Sequence, residues 1–120
     1  MATDTFPIDI IPIGNAAEGQ PTAQFHPNPA RITVGNVVFF RNHDQVNTHW
    51  PVACTVANTD PNNPDRTGWW MDSPISTASG PDKPTPGKEA FAPSVPTSAE
   101  GVKYMDALHP DVTGVIIVTA

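Results

Sequence analysis

The sequence has only one cysteine, Cys54, among its 120 residues. A single cysteine excludes an intrachain disulfide framework and a cysteine-rich zinc site, so packing must stabilise the fold. Basic residues are also few, because six Lys and Arg stand against twelve Asp and Glu, for a formal net charge of −6. Nucleic-acid binding needs clustered Lys and Arg, so we expect no nucleic-acid partner.

Long apolar runs are missing as well. The longest has about the length of a strand, far below the roughly 20 residues that cross a bilayer as a helix, so we expect no transmembrane segment. The first residues, Met1 to Asp4, have no basic stretch followed by an apolar one. The chain is therefore either cytoplasmic or a protein whose signal peptide has been removed, and the residues leave both alternatives open.

Helical periodicity is absent, and 15 prolines and 8 glycines interrupt the chain too often for long helices. Short segments rich in β-branched residues and bounded by turn signals predict an all-β fold. The predicted strands are Thr5–Pro12, Arg31–Thr33, Asn36–Asn42, Trp50–Cys54, Glu89–Ala92, Gly101–Met105 and Gly114–Thr119. Short strands in a chain of this size favour a β-sandwich or barrel. Alternation along them predicts a core of Ile32, Val34, Val38, Phe40, Ile116 and Val118.

We expect one domain, 1–120, with the region 57–100 as a Pro-rich loop insertion within it. Eight of the fifteen prolines lie between Pro61 and Pro96, and too few apolar residues separate them to form a second core. Trp69 and Trp70 in this region are predicted to cap the sandwich core, with a ligand-stacking platform as the alternative.

The four histidines have different surroundings in the sequence. His26 lies in an extended segment and His43 in a turn, and both are interpreted as solvated loop residues. His49 begins a short apolar segment, and His109 lies in the loop before the last predicted strand. Taken singly, each is more often a structural histidine than a ligand.

Two sequence blocks together resemble a known family. From Phe25 the chain reads Phe-x-Pro-x-x-x-Arg-Ile-Thr-Val-Gly-x-x-Val-x-Phe-x-Asn-x-Asp, then His49, and it ends with Tyr104-x-x-x-x-His109-Pro110-x-x-x-Gly114. This pattern is similar to that of the cupredoxins, in which a Greek-key β-sandwich holds one copper ion at its end. The resemblance covers most of 25–118. It implies a copper-binding or electron-transfer protein in the periplasm or another extracytoplasmic compartment.

The same resemblance assigns the ligand positions. The two copper-ligand histidines fall on His49 and His109, whereas the ligand cysteine position is Asp106 and the axial methionine position is Val112. Met105 is next to the cysteine position, but neighbouring strand residues point to opposite faces, so it is expected to face away. Some bacterial cupredoxin-like domains with a His-Trp-Pro-Ala segment are similar in carrying an aspartate at this position.

A carboxylate changes the expected chemistry, because it is a hard donor where a thiolate is soft. The set His49, Asp106 and His109 is predicted to favour Cu(II) over Cu(I), lower the reduction potential and remove the intense blue colour. Zn(II) suits the same set. No separate general base stands at a motif spacing, so we expect no enzymatic activity. The alternative is a site without metal, in which Asp106 bonds a histidine and the sandwich is a binding or assembly module.

Cys54 follows His49 by five residues and is interpreted as a small buried residue. A thiolate ligand and an intermolecular disulfide are the alternatives. The resemblance also implies a redox or copper-delivery protein as partner, and the acidic composition favours a basic one.

Overall fold

A computed structural model describes residues 4–14, 22–53, 73–93 and 96–120. These ranges contain no helix, and so none that is long and apolar enough to cross a membrane. They form eight β-strands: β1 (Thr5–Pro12), β2 (Ala23–His26), β3 (Ala30–Thr33), β4 (Val37–Asn42), β5 (Pro51–Ala53), β6 (Thr85–Phe91), β7 (Val102–Asp106) and β8 (His109–Thr119). The predictions for Cys54, Trp69, Trp70 and much of the Pro-rich region lie outside the described residues.

The strands form two four-stranded sheets, in the orders β2-β1-β4-β6 and β3-β8-β7-β5. β1 runs parallel to β4, and β3 runs parallel to β8. The other neighbouring strands are antiparallel. Because the chain passes from one sheet to the other after β2, β3, β4, β5 and β6, the two mixed sheets form a Greek-key β-sandwich. The all-β prediction is confirmed.

The core lies between the sheets and takes alternate residues from strands of both. Its buried members are Ile8, Ile10, Ala23, Phe25, Ala30, Ile32, Val38, Phe40, Ile75, Tyr104, Val112, Ile116 and Val118. Five of the six predicted core residues are among them. Val34 is the wrong one, since it is 38% exposed. β3 ends at Thr33, so Val34 enters a turn, where Gly35 has a φ of 94°.

Three aromatic rings pack at the centre of this core. Tyr104 lies 4.6 Å from Phe25 and 5.5 Å from Phe40 between ring centroids, within the range of favourable aromatic pairs. Gly114 is paired with Tyr104 across β7 and β8, and a Cβ on Gly114 would lie 2.4 Å from the ring. Glycine is therefore required here for the ring to approach the neighbouring strand.

Two strands begin four or five residues earlier than predicted. β6 starts at Thr85 rather than Glu89 and includes Pro86, which has no N–H to donate. An edge strand tolerates this proline, and β6 is at the edge of its sheet. β8 starts at His109 rather than Gly114, because the chain reverses within the two residues 107–108 and pairs back onto β7.

One further strand was not predicted. β2 covers Ala23–His26 and pairs with β1, with Asp9 opposite His26. His26 is exposed but lies in this strand rather than in a loop. The segment is only four residues long, so its alternation of buried and exposed residues is too short to identify from the sequence.

Candidate metal centre

The predicted ligands meet at one end of the β3-β8-β7-β5 sheet. His49 precedes β5, Asp106 ends β7 and His109 begins β8. The strand pairing sets Asp106 opposite both Pro51 and His109. One ligand atom from each of His49, Asp106 and His109 lies within 4.8 Å of the others. The structure thus brings together three residues that are far apart in the sequence.

The loop after β4 is held in place by Asn42, which is fully buried. Its side-chain amide donates to the carbonyl oxygens of Asn47 at 3.0 Å and Ser76 at 3.1 Å, and its Oδ1 accepts from the Asp44 N–H at 2.8 Å. His49 also exchanges two backbone hydrogen bonds with Ile75. The backbone that carries His49 is therefore fixed on both sides.

His49 is fully buried, and both of its ring nitrogens face carboxylates. Nδ1 bonds Asp106 Oδ2, and Nε2 lies 2.9 Å from Asp44 Oδ2. An ionised carboxylate only accepts hydrogen bonds, so each ring nitrogen donates a proton in this arrangement. The ring is held between two negative groups.

The pKa values follow from these bonds. Burial alone would lower the pKa of His49, but the hydrogen bonds to Asp106 and Asp44 outweigh it and raise that pKa above its ordinary value. Burial alone would raise the pKa of Asp44, but hydrogen bonds from His49 and from the N–H groups of Val46 and Asn47 hold that pKa below its ordinary value. Both shifts stabilise the charged forms and so favour an ion pair between His49 and Asp44.

Asp106 is also fully buried, and its two oxygens have separate roles. Oδ1 accepts from the backbone N–H groups of Trp50 and Leu108, each at 2.9 Å. Oδ2 faces His49. Because Oδ1 already has two donors, Asp106 can offer only one oxygen to a cation.

His109 is the third residue of the group and is half-buried. Its ring centroid is 4.9 Å from that of His49, and its Nε2 lies 3.3 Å from the carbonyl oxygen of Thr48. A carbonyl only accepts, so Nε2 carries a proton in this contact, and in a neutral ring the lone pair is then on Nδ1. That lone pair is available to a cation.

The charge of the buried group suits a divalent cation. The group contains two carboxylates, those of Asp44 and Asp106, against the single imidazole of His49. Among the ion pairs of the described residues, neither carboxylate is paired with Lys or Arg. If a divalent ion replaces the Nδ1 proton, its two charges balance both carboxylates. Uncompensated buried charge is costly, so the donor set fits such an ion.

Two residues next to the predicted ligand positions have buried side chains. Met105 packs in a separate buried cluster with Val52, between Trp50 and Ala107, whereas Tyr104 lies in the main core. Met105 therefore points to the opposite face from Tyr104. Val112, which the family resemblance puts at the axial position, is buried in the main core, and its side chain has no donor atom.

Asp44 is the residue of this group that the sequence analysis did not identify as functional. It ends the Asn-x-Asp turn and lies five residues before His49. An aspartate in a turn is explained by local hydrogen bonds, and Asp44 indeed accepts from the N–H groups of Val46 and Asn47. The local pattern therefore gave no sign of the additional bond to His49.

A second histidine–carboxylate cluster lies on β1 and β4. Asp9 Oδ1 accepts from Arg41 Nε at 2.7 Å and from His43 Nε2 at 2.8 Å, and Oδ2 accepts from Arg41 Nη2 at 3.0 Å. The side chains of Arg41 and Asp9 are 35% and 20% exposed. His43 is partly buried and bonded to Asp9, so the interpretation as a solvated residue is wrong.

No protein-family profile and no curated protein matches the chain. Among solved structures, it is similar to a pseudoazurin from Sinorhizobium meliltoi, with a TM-score of 0.54 and 17% identity over 98% of this chain and 76% of that one. For auracyanin A, a "blue" copper protein from Chloroflexus aurantiacus, the TM-score is 0.53, with 13% identity over 98% of this chain and all (100%) of that one. For rusticyanin from Thiobacillus ferrooxidans, the TM-score is 0.52, with 17% identity over 98% of this chain and 79% of that one.

These likenesses define the fold. The chain has the cupredoxin fold, the β-sandwich of pseudoazurin, auracyanin and rusticyanin. The fold predicted from the sequence resemblance is confirmed. Identities this low carry no function from those proteins to this one.

Proposed function

We propose that this protein binds one Cu(II) ion through His49 Nδ1, Asp106 Oδ2 and His109, as a thiolate-free member of the cupredoxin fold. The observation that supports it most is the convergence of the three donors within 4.8 Å at the end of the sandwich. The fold of copper proteins such as auracyanin A supports the same metal.

Copper is favoured over zinc by the donors. Sites built from nitrogen and oxygen bind divalent ions in an order that peaks at Cu(II) and falls at Zn(II). Without a thiolate, the site has no soft ligand for Cu(I) and no intense thiolate-to-copper absorption. The site is therefore proposed to hold oxidised copper, with a low reduction potential.

The proposed role is copper handling or electron transfer in the cell envelope, with the chain in the periplasm or another extracytoplasmic compartment. The net charge of −6 favours a basic redox or copper-delivery protein as partner.

We propose a binding role rather than catalysis. A general base needs an oxygen or nitrogen that can take a proton from a substrate or water. In the buried cluster, both Asp44 oxygens accept hydrogen bonds, and Asp106 Oδ1 accepts two. The remaining oxygen, Asp106 Oδ2, is the proposed metal ligand.

The alternative is a binding or assembly module without metal, and one observation favours it. The hydrogen bonds from His49 to Asp44 and Asp106 satisfy both ring nitrogens without an ion. Such a module would recognise its partner with the Trp69–Trp70 segment or with an exposed face of the sandwich. Trp69 and Trp70 lie outside the described residues.

Metal analysis with Cu(II) titration, followed by electron paramagnetic resonance, separates the two functions. We expect one copper per chain, nitrogen hyperfine structure and no strong visible thiolate band. A variant with both His49→Ala and His109→Ala is the control for adventitious binding by the other histidines. Uptake by the wild type no greater than by this control would contradict the copper site and favour the metal-free module.

A further inference from the structure

Asp44 is held more firmly than a residue of a simple turn requires. Its side chain is buried, with 2% of the residue exposed. Oδ1 accepts from the N–H groups of Val46 at 2.8 Å and Asn47 at 3.1 Å, and Oδ2 accepts from the Asn47 side-chain amide at 3.3 Å. These donors fix the direction in which Oδ2 meets His49 Nε2, at 2.9 Å.

This contact decides which nitrogen of His49 can bind an ion. A carboxylate requires a proton on Nε2, and the opposite nitrogen, Nδ1, faces Asp106. We infer that Asp44 is a positioning residue of the metal centre. Its carboxylate holds His49 with the proton on Nε2 and turns the Nδ1 lone pair toward an ion shared with Asp106 and His109. The inference rests on the proposed function.

The two histidines then differ as ligands. His109 Nε2 has a neutral carbonyl acceptor at 3.3 Å, whereas His49 Nε2 has a charged acceptor at 2.9 Å. A carboxylate partner makes the metal-binding nitrogen of an imidazole more basic and fixes its orientation. His49 is thus the stronger and more rigid nitrogen ligand of the two.

Three variants test this role. Asp44→Asn keeps the size and an acceptor oxygen but removes the charge, and Asp44→Ala removes the acceptor. Asp82→Asn is the matched control, since Asp82 is exposed in the turn between Gly80 and Lys83 and loses the same charge. In Cu(II) titrations against a competing chelator, we expect an affinity loss of about 10–100-fold for Asp44→Ala and a smaller one for Asp44→Asn. Asp82→Asn is expected to bind as the wild type does.

Pulsed electron paramagnetic resonance gives a readout that a purely structural role would not change. When Nδ1 binds Cu(II), the quadrupole coupling of the remote nitrogen, Nε2, reports its hydrogen bond. Asp44→Asn is expected to change this coupling for one of the two histidines, because a neutral amide accepts more weakly than a carboxylate. Asp82→Asn is expected to leave both couplings unchanged.

The outcomes separate this inference from the proposed function. If the wild type binds copper and folded Asp44→Asn has the same affinity and the same nitrogen couplings, the positioning role is overturned and the copper site stands. If neither the wild type nor Asp82→Asn takes up copper, the proposed function fails and the inference fails with it. Circular dichroism establishes that each variant is folded, and Asp44→Asn decides the question if Asp44→Ala does not fold.

Discussion

His43 and His49 are both hydrogen-bonded to aspartates, but their surroundings are opposite. His43 shares Asp9 with Arg41, and the three side chains are 20–35% exposed. His49 is fully buried between Asp44 and Asp106. The first cluster contains a permanent cation, since an arginine does not lose its proton in proteins. In the second, the only positive charge among the described ion pairs is a proton on an imidazole, which a metal ion can replace.

This difference shows why one cluster is a candidate metal centre and the other is a surface ion pair. Arg41 binds both oxygens of Asp9, so that carboxylate has little capacity left for a metal. At the buried end, two carboxylates share one histidine and no arginine lies between them among the described ion pairs. An aspartate beside a histidine is therefore not enough to indicate a metal site. What matters is whether the third group is an arginine, as at Asp9, or a second carboxylate, as at His49.

Loss of one carboxylate from each cluster gives the largest expected contrast. Asp106→Ala leaves the buried His49 ring and the N–H groups of Trp50 and Leu108 without their acceptor. We expect this change to lower the free energy of unfolding by about 3–5 kcal/mol. Asp9→Ala removes a partly exposed pair, whose charged partner Arg41 can be solvated by water, and is expected to cost about 1 kcal/mol. Urea unfolding of both variants with a chelator present measures the two values, and equal losses would refute the contrast.

The next largest contrast is expected in copper affinity, when one histidine is removed from each cluster. His109→Ala removes a proposed ligand but leaves the buried His49 pairs intact. Loss of a mere hydrogen-bond partner of a ligand already costs about 10–100-fold, so we expect the Cu(II) affinity to fall by about 100-fold or more. His43→Ala is expected to bind copper as the wild type does. Isothermal titration of both variants checks this, and a weaker site in His43→Ala would mean that the surface cluster takes part.

Acid affects both clusters in the same direction. The folded-state pKa values of Asp9 and Asp44 are both lowered, although burial alone would raise them. For Asp9, hydrogen bonds from Arg41 and His43 outweigh burial. For Asp44, the hydrogen bond from His49 makes the largest opposing contribution. Each group therefore stabilises the fold above its unfolded pKa of about 4, and this stability is lost as the pH falls through the lower folded value.

Base affects the buried cluster through His49, whose folded pKa is raised. Its contribution is full below the unfolded pKa of about 6.5 and is lost as the pH rises through the folded value. We therefore expect Asp9→Asn, measured with a chelator present, to weaken the decrease of the unfolding free energy at low pH. The decrease at high pH should stay unchanged. An altered alkaline side in Asp9→Asn would show that the two clusters are coupled.

Salt gives the smallest expected effect. Dissolved ions weaken the interaction between exposed charges, over a screening length of about 10 Å at 0.1 M that becomes shorter at higher salt. Buried pairs are screened much less. The cost of Asp9→Ala should shrink by a few tenths of a kcal/mol between low and 1 M NaCl. The cost of Asp106→Ala should stay the same. Unfolding titrations at both salt concentrations check this, and a salt-dependent cost at Asp106 would mean that water reaches the buried group.

Features that neighbouring residues determine were predicted from the sequence, whereas features that depend on contacts between distant segments were not. β1 was predicted with its observed bounds, Thr5–Pro12, because its apolar residues and flanking turn signals are local. The start of β8 at His109 was missed, because that part of the strand forms by pairing with β7. Pro86 also argued against a strand, and the sequence does not tell which strand lies at a sheet edge.

The candidate site shows the same limit. The positions of His49, Asp106 and His109 were predicted by family resemblance, which carries information that single residues do not. The bond from His49 to Asp44 depends on a loop conformation held by Asn42, and Asn42 acts through carbonyl groups on another segment, Ile75–Ser76. Such contacts depend on the folded backbone, so neither composition nor spacing reveals them.

The turn between β7 and β8 would make Asp106 and His109, two of the three proposed ligands, the two arms of one chelate. Only Ala107 and Leu108 separate them, and the Ala107 N–H donates to the Trp50 carbonyl at 2.7 Å, next to His49. The separation of the arms is therefore set when the hairpin forms, before any ion arrives. If the proposed ion binds there, it would have to break from both arms while the turn stays closed, so we expect its dissociation to be slow. One inserted residue would widen the chelate and shorten the residence time of the ion.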